Sequence, residues 1–275
     1  MKEMAFRIAN NVEALNVLGW LNRAKNGLDK SLERLSSGYR VNHAADDSAG
    51  LAISNQFRHE IAALRIASSN TSQAINMVQT AEGSVNEVAD MVRRLRELAT
   101  EAASDTVDND RRTYLNNEAS AILNQIDDLA TRTTYAGQAL FTTGNFIIQV
   151  GIGTGSENRI TMSFGALSSS SLGIDAIDLT TQANAQSALT SISNALTSVN
   201  NMLNTIGQAQ NKLEYALTQA TTMIENFTAS ESTIRDVDMA AEMANFTKNQ
   251  ILVQTSMAML AQANALPQNI IQLLR

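Results

Sequence analysis

Between Leu189 and Phe227, apolar residues recur at alternating steps of three and four: Leu189, Ile192, Leu196, Val199, Leu203, Ile206, then Leu213, Leu217, Ala220, Ile224 and Phe227, with Gln210 the polar exception. A stripe that repeats every 3.5 residues is the signature of a helix that packs along its length against another helix. A helix over Gln182 to Phe227 would be roughly 69 Å long at 1.5 Å per residue, longer than a compact domain of this size is wide. The stripe therefore predicts an elongated, mainly α protein.

The first half supplies partners. Leu18, Leu21, Leu28, Leu32 and Leu35 form a short heptad series with Lys25 in the polar gap. Ile61, Leu64, Ile75, Val78, Val85, Val88, Val92, Leu95 and Leu98 continue it, with a phase slip near Val85. Leu115, Ala119, Ile122, Ile126 and Leu129 share one face of a third stretch beginning near Tyr114. These long helices predict an antiparallel helical bundle or coiled coil, each helix burying the others' stripes.

Between the halves the period changes. "NFIIQVGIGTGSENRITMSF" alternates around Phe146, Ile148 and Val150, crosses a Gly/Ser/Asn-rich turn and alternates again at Ile160, Met162 and Phe164. This predicts a small β-hairpin near 145–165. Gly151, Gly153 and Gly155 read as turn glycines that supply positive φ, since no helix follows to make a nucleotide-binding loop. A last helix is expected from "TASESTIRDVDMAAEM", where Thr228 with Glu231, or Thr233 with Asp236, has capping-box spacing. Its stripe is Met239, Met243, Phe246, Val253, Met257 and Leu260, with methionine expected as a filler of gaps between helices.

Chemistry is sparse. The chain has no cysteine, so thiolate and disulfide chemistry are excluded. His43 and His59 lack a third ligand nearby, and in "HEIAA" Ala63 stands where a zinc motif needs its second histidine. The acidic pair Asp46 and Asp47, and the cluster Asp105, Asp108 and Asp110, lack the glycine and terminal glutamate of a calcium loop and read as caps and solvated turns. No serine lies in a nucleophile elbow. We expect no enzyme activity, cofactor or metal. Lys and Arg number 20 against 27 for Asp and Glu, a formal charge of −7, so nucleic acid is not an expected partner. Residues Asn249 to Leu274 carry no formal charge, but Gln and Asn interrupt them too often for a membrane span. The N-terminal stretch lacks an apolar core with a small-residue cleavage site, so Sec secretion is not expected. Charged residues are only 17%, against roughly 25% in typical domains, and Ala, Ser, Thr, Asn and Gln take their place. Such a surface suits contact with other protein on several sides. Ile270, Ile271, Leu273 and Leu274, running to the terminal Arg275, are an apolar end where a polar one is usual.

Two stretches carry a resemblance: "LERLSSGYRVNHAADDSAGLAIS" (Leu32 to Ser54) and "LAQANALPQNIIQLLR" (Leu260 to Arg275) are similar to the signature ends of bacterial flagellins. "VQTAEGSVNEV", "RRLRELATEA" and "FIIQVGIGTGSENRITM" extend it over nearly the whole chain from Met4. The customary Met-Ala start falls at Met4, so either Met4 is the initiator or Met1-Lys2-Glu3 is an extension. Only about twenty residues, Phe164 to Ala183, link hairpin to C-terminal helix, so the resemblance is to a minimal form without a variable outer domain.

The resemblance implies a filament subunit for swimming motility, exported through the flagellar type III apparatus to an extracellular flagellum without a Sec signal. Its domains would be a terminal coiled coil of 1–47 and 235–275 lining the filament core, and a helical rod domain of 48–234. Self-assembly would use Leu18, Leu21, Leu28, Leu32, Leu35, Met239, Met243, Phe246, Val253, Met257 and Leu260, with Leu266, Ile270, Leu273 and Leu274 of the apolar end. Implied partners are further copies of the chain, an export chaperone, and cap and hook-junction proteins. The hook–filament junction protein of the same superfamily is the alternative. Finally, "MVRRLRELATEA" resembles the patch by which many flagellins engage the flagellin-sensing Toll-like receptor, which implies a receptor contact at Arg94, Leu98 and Glu118. Arg93 departs from the amide side chain expected there. On helical spacing alone, Arg93, Arg94 and Arg96 form a solvated face paired weakly with Glu97 and Glu101.

Overall fold

A computed structural model describes residues 11–273, with side chains through Ala265. Five α-helices dominate: α1 (Val12–Ser37), α2 (Ser48–Ala102), α3 (Asn109–Arg132), α4 (Gln182–Arg235) and α5 (Met239–Leu273). Four short strands lie between α3 and α4: β1 (Thr134–Tyr135), β2 (Gln138–Ala139), β3 (Phe146–Gln149) and β4 (Arg159–Met162). The chain forms two compact units, one of Met1–His59 with Phe227–Arg275 and the other of Glu60–Asn226.

The larger unit is built on two heptad lines. On α2 the buried residues Leu64, Ala67, Thr71, Ala74, Val78, Ala81, Val85, Val88, Val92, Leu95, Ala99 and Ala102 alternate steps of three and four without interruption. The expected phase slip at Val85 is absent, because fully buried Ala81 fills the place that a search for large residues leaves open. On α4 the inner line is Ala185, Ala188, Ile192, Ala195, Val199, Met202, Ile206, Ala209, Leu213, Ala216 and Ala220. Ile192, Val199, Ile206, Leu213 and Ala220 stand where the sequence put them. The alternate positions fall one residue earlier: Ala188 for Leu189, Ala195 for Leu196 and Ala209 for Gln210. The larger neighbours Leu189, Leu196 and Leu203 flank the line half-buried.

Helix ends follow local chemistry. Asp108 caps α3 by accepting from Arg111 N at 2.8 Å, and Asp47 Oδ1 accepts from Gly50 N at 2.9 Å at the start of α2. α1 ends at Gly38, whose φ of 76° is the left-handed conformation that needs no Cβ, and its N–H donates to Arg34 O. The fourth helix runs eight residues past the expected Phe227. Thr228 to Arg235 are helical, and the chain turns only at 236–238, where Asp238 Oδ1 accepts from Ala240 N at 2.9 Å and Ala241 N at 3.1 Å. Asp238 is therefore the cap of α5, in place of Thr228 or Thr233; the Thr233 hydroxyl donates inside the helix to Ala229 O.

Strands β3 and β4 pair antiparallel, Phe146 opposite Met162 and Ile148 opposite Ile160, with Met162 and Phe164 in the core. The glycines of the connecting turn act through space and not through positive φ, which none of Gly151, Gly153 and Gly155 has. A Cβ on Gly151 or Gly153 would collide with the Asn158 side chain. A second, unanticipated hairpin of β1 and β2 turns through Ala136 (φ 50°) and Gly137 (φ 80°), the signs of a type I′ turn. The segment after β4 is also more than a tether. Leu167, Ile174 and Leu179 are fully buried, Asp127 of α3 accepts from Ser169 N and Oγ at 2.7 and 2.8 Å, and Asn116 Oδ1 accepts from Leu179 N at 2.9 Å.

Candidate assembly surface

In the smaller unit α1 and α5 run antiparallel with Cα atoms within 8 Å. Asn11 both caps α1, accepting from Ala14 N, and donates through Nδ2 to Ala263 O at 2.8 Å; at the other end Arg34 Nη1 stands 3.6 Å from Glu242 Oε2. Gly27 faces Asn249, whose Nδ2 would lie 2.9 Å from a Cβ there. The inward line of α1 is Ala14, Val17, Leu21, Ala24, Leu28, Ser31 and Leu35, in which small Ala14, Ala24 and Ser31 alternate with larger residues. Its counterpart on α5 is Glu242, Phe246, Asn249, Val253, Ser256, Leu260 and Ala263.

Half of the expected seam is thus in place. Leu21, Leu28, Leu35, Phe246, Val253 and Leu260 are inward and half-buried. The others are corrected by the same one-residue offset as on α4: Leu18 (41% exposed), Lys25 and Leu32 face outward while Ala24 and Ser31 are buried. Met239, Met243 and Met257, each about half exposed, likewise lie outside, so methionine does not fill this gap. The side chains of Leu266, Ile270, Leu273 and Leu274 lie outside the described residues.

The consequence is an inverted distribution. Ala, Ser, Asn and Glu occupy much of the seam, while Val12, Leu15, Leu18, Trp20, Leu32, Ile251, Leu252, Met257 and Met259 are exposed. Between the helices Val17, Trp20, Leu252 and Met259 line a groove of about 400 Å³ with Arg23 at its edge, the guanidinium 5.0 Å from the centre of the Trp20 ring. Large contiguous apolar faces on a folded chain mark surfaces that other molecules cover.

The residues of the expected receptor contact are only partly brought together. Arg94 donates to Glu118 Oε1 from Nη2 at 2.7 Å and Nε at 3.1 Å, and to Glu97 Oε2 from Nη1 at 3.0 Å. These carboxylates, Glu118 foremost, raise the affinity of the guanidinium for its proton. Leu98 does not join them. It is 1% exposed, inside the core beside the line that runs through Leu95 and Ala99, so the expectation of an apolar knob beside Arg94 is corrected. Four residues along a helix leave the two about 40° apart, and the long arginine side chain reaches out where leucine stays in. Glu101 pairs with Arg111 of α3 at 2.7 Å, not with the arginines of its own helix. Among the described residues no cluster of His, Cys, Asp or Glu could hold a metal ion, and no helix is long and apolar enough to cross a membrane.

An antiparallel pair of helices with a thin, partly polar seam and a broad apolar exterior defines a subunit that completes its burial in an assembly. The comparisons with known proteins name the assembly. A family model described as the bacterial flagellin N-terminal helical region matches residues 8–145, and one described as the bacterial flagellin C-terminal helical region matches residues 189–274. A flagellin of Halalkalibacterium halodurans is 39% identical over 270 residues, covering 98% of this chain and 99% of its own. A flagellin of Bacillus subtilis is 37% identical over 306 residues, covering 98% and 100%. The flagellar filament 33 kDa core protein of Treponema phagedenis is 34% identical over 285 residues, covering 98% and 99%. The crystal structure of Bacillus cereus flagellin superimposes with a TM-score of 0.50 at 25% identity, covering 59% of this chain and 94% of that one. The chain belongs to the bacterial flagellin family and is a structural subunit of the flagellar filament.

Proposed function

We propose that this subunit polymerises by covering the outward apolar faces of α1 and α5 with the same faces of neighbouring copies, in a filament outside the cell reached through the flagellar type III apparatus. Its role is mechanical and not catalytic, and its other partners are an export chaperone and the cap and hook-junction proteins. The observation that supports this most is the inverted distribution in the smaller unit, where Leu15, Trp20, Leu32 and Ile251 are exposed while Ala24, Ser31 and Ala263 are buried in the seam. Salt-induced polymerisation of purified protein, viewed by electron microscopy, tests it. Helical filaments are expected; a chain that stays monomeric at high salt and high concentration would contradict the reading.

The Arg94 and Glu118 pair is the part of the receptor patch that remains exposed, and it is the proposed contact for a host Toll-like receptor on the unassembled chain. An ion pair this exposed contributes little to stability because solvent screens it, so Arg94→Ala leaves the fold intact. At an interface the same change commonly costs 2 kcal/mol or more, which is about thirtyfold in affinity. Equal receptor activation by Arg94→Ala and unaltered monomer would leave the arginine as surface charge.

A further inference from the structure

Four of the eleven methionines stand on α5: Met239, Met243, Met257 and Met259, 50%, 50%, 52% and 54% exposed. Helical spacing puts the first three on one flank of the seam, since four and eighteen residues are close to whole numbers of turns, and places Met259 with Leu252 on the other flank, lining the Trp20 groove. Among the described residues outside α5, Met77 is 5% exposed and Met162 4%, while Met91, Met202 and Met223 are half-buried. A thioether is apolar and soft, which suits a surface that must adapt to a neighbour. It is also the side chain, in a protein without cysteine, that mild oxidants attack.

We propose that these four methionines are sites of oxidative modification that gate assembly: the unassembled chain is oxidised at α5 and loses its capacity to polymerise. The oxidant is a two-electron oxygen donor of the peroxide class. Hydrogen peroxide transfers one oxygen atom to the thioether; the O–O bond breaks, an S–O bond forms, sulfur gives up two electrons and the peroxide leaves as water. Each sulfoxide puts a strong hydrogen-bond acceptor on a face that was apolar. Burying that acceptor without a donor carries the cost of an unpaired polar group, while the single chain, whose seam contains none of these four residues, keeps its fold. Attack is confined to the unassembled chain because neighbouring copies cover the same flanks in the filament. The inference rests on the self-assembly reading above.

Purified monomer is treated with graded hydrogen peroxide and mapped by peptide mass spectrometry, and its critical concentration for polymerisation is measured by sedimentation. Sulfoxide is expected at Met239, Met243, Met257 and Met259 before Met77 and Met162. The critical concentration should rise at least about tenfold with the circular dichroism unchanged, because four apolar contacts are weakened together. Repair by methionine sulfoxide reductases of both stereospecificities should restore it. A chain carrying Met239→Leu, Met243→Leu, Met257→Leu and Met259→Leu should polymerise equally with and without peroxide. Preformed filaments should oxidise at these positions more slowly than monomer. The proposal is overturned if the α5 methionines react no faster than the buried ones, if fully oxidised monomer polymerises at the unaltered concentration, or if reductase repair leaves the defect in place. Untreated protein that forms no filaments overturns the self-assembly reading instead.

Discussion

Trp20 offers the most direct probe of the outward face. It is the single tryptophan of the chain, 63% exposed at the mouth of the groove between α1 and α5. A tryptophan buries about 150–250 Å² when covered, so with 63% still exposed roughly 95–160 Å² remains available to a neighbour. If neighbours cover half of that, at ~25 cal/mol per Å², the contact contributes about 1.2–2 kcal/mol, or roughly tenfold to thirtyfold in critical concentration. Trp20→Ala should therefore raise the critical concentration by that factor. In the unaltered chain, emission from Trp20 should shift to shorter wavelength as filaments form. The already covered part of the ring and its contact with Arg23 stabilise the single chain, so thermal unfolding of the variant is followed alongside. The reasoning is refuted if the folded variant polymerises within a factor of two of the original, or if polymerisation leaves the emission unmoved.

Further expectations concern the seam, the α2–α3 turn and pH. Ala24 is 8% exposed on the seam and Lys25 faces outward, so Ala24→Leu should destabilise the α1–α5 pair by about 1–3 kcal/mol through overpacking. Lys25→Leu should leave it unchanged within about 0.5 kcal/mol, and equal melting of the two variants would restore the seam that the large residues suggest. Arg112 is 8% exposed and donates to Ala102 O at 2.9 Å, Ser104 O at 2.9 Å and Asn109 Oδ1 at 3.0 Å. Arg112→Ala removes the partners of carbonyls at the end of α2 and should cost about 2–4 kcal/mol in chemical denaturation; a loss within error would mean that water replaces the guanidinium. The Asp178 carboxylate accepts from Thr180 N at 2.8 Å and Asn184 Nδ2 at 2.7 Å, the Thr180 contact above all holding it below the ordinary carboxylate value of 3.8. A carboxyl lowered on folding contributes stability above its unfolded pKa, and that stability is lost as pH falls through the folded value. Protection of the Thr180 amide against exchange, relative to its intrinsic rate at each pH, should fall on acidification below about pH 4, an effect that Asp178→Asn should abolish.

Much of the architecture is legible in the residues themselves. The 3.5-residue repeat specified long helices in both halves, the change to period two located the β3–β4 hairpin, and the two signature ends identified the family. Every second seam position could be read directly: Leu21, Leu28 and Leu35 on α1, Ile192, Val199, Ile206 and Leu213 on α4. These are large apolar residues that face inward whatever the partner. The alternate positions were legible only in the tertiary structure. There the pattern points to Leu18, Lys25, Leu32, Leu189 and Leu196, one residue beyond the true line of Val17, Ala24, Ser31, Ala188 and Ala195. Adjacent helical residues differ by about 100°, so a small residue and its larger neighbour can border the same contact, and which one enters depends on how near the partner helix comes. At these alternate positions the α1–α5 seam admits Ala24 and Ser31 and turns Leu18, Lys25 and Leu32 out. The same geometry buries Leu98 while Arg94 reaches Glu118 on α3, a pairing across twenty-four residues that no local pattern contains. Sequence alone determined which residues were apolar and at what period; the spacing between helices decided which of them the single chain buries and which it leaves for its neighbours.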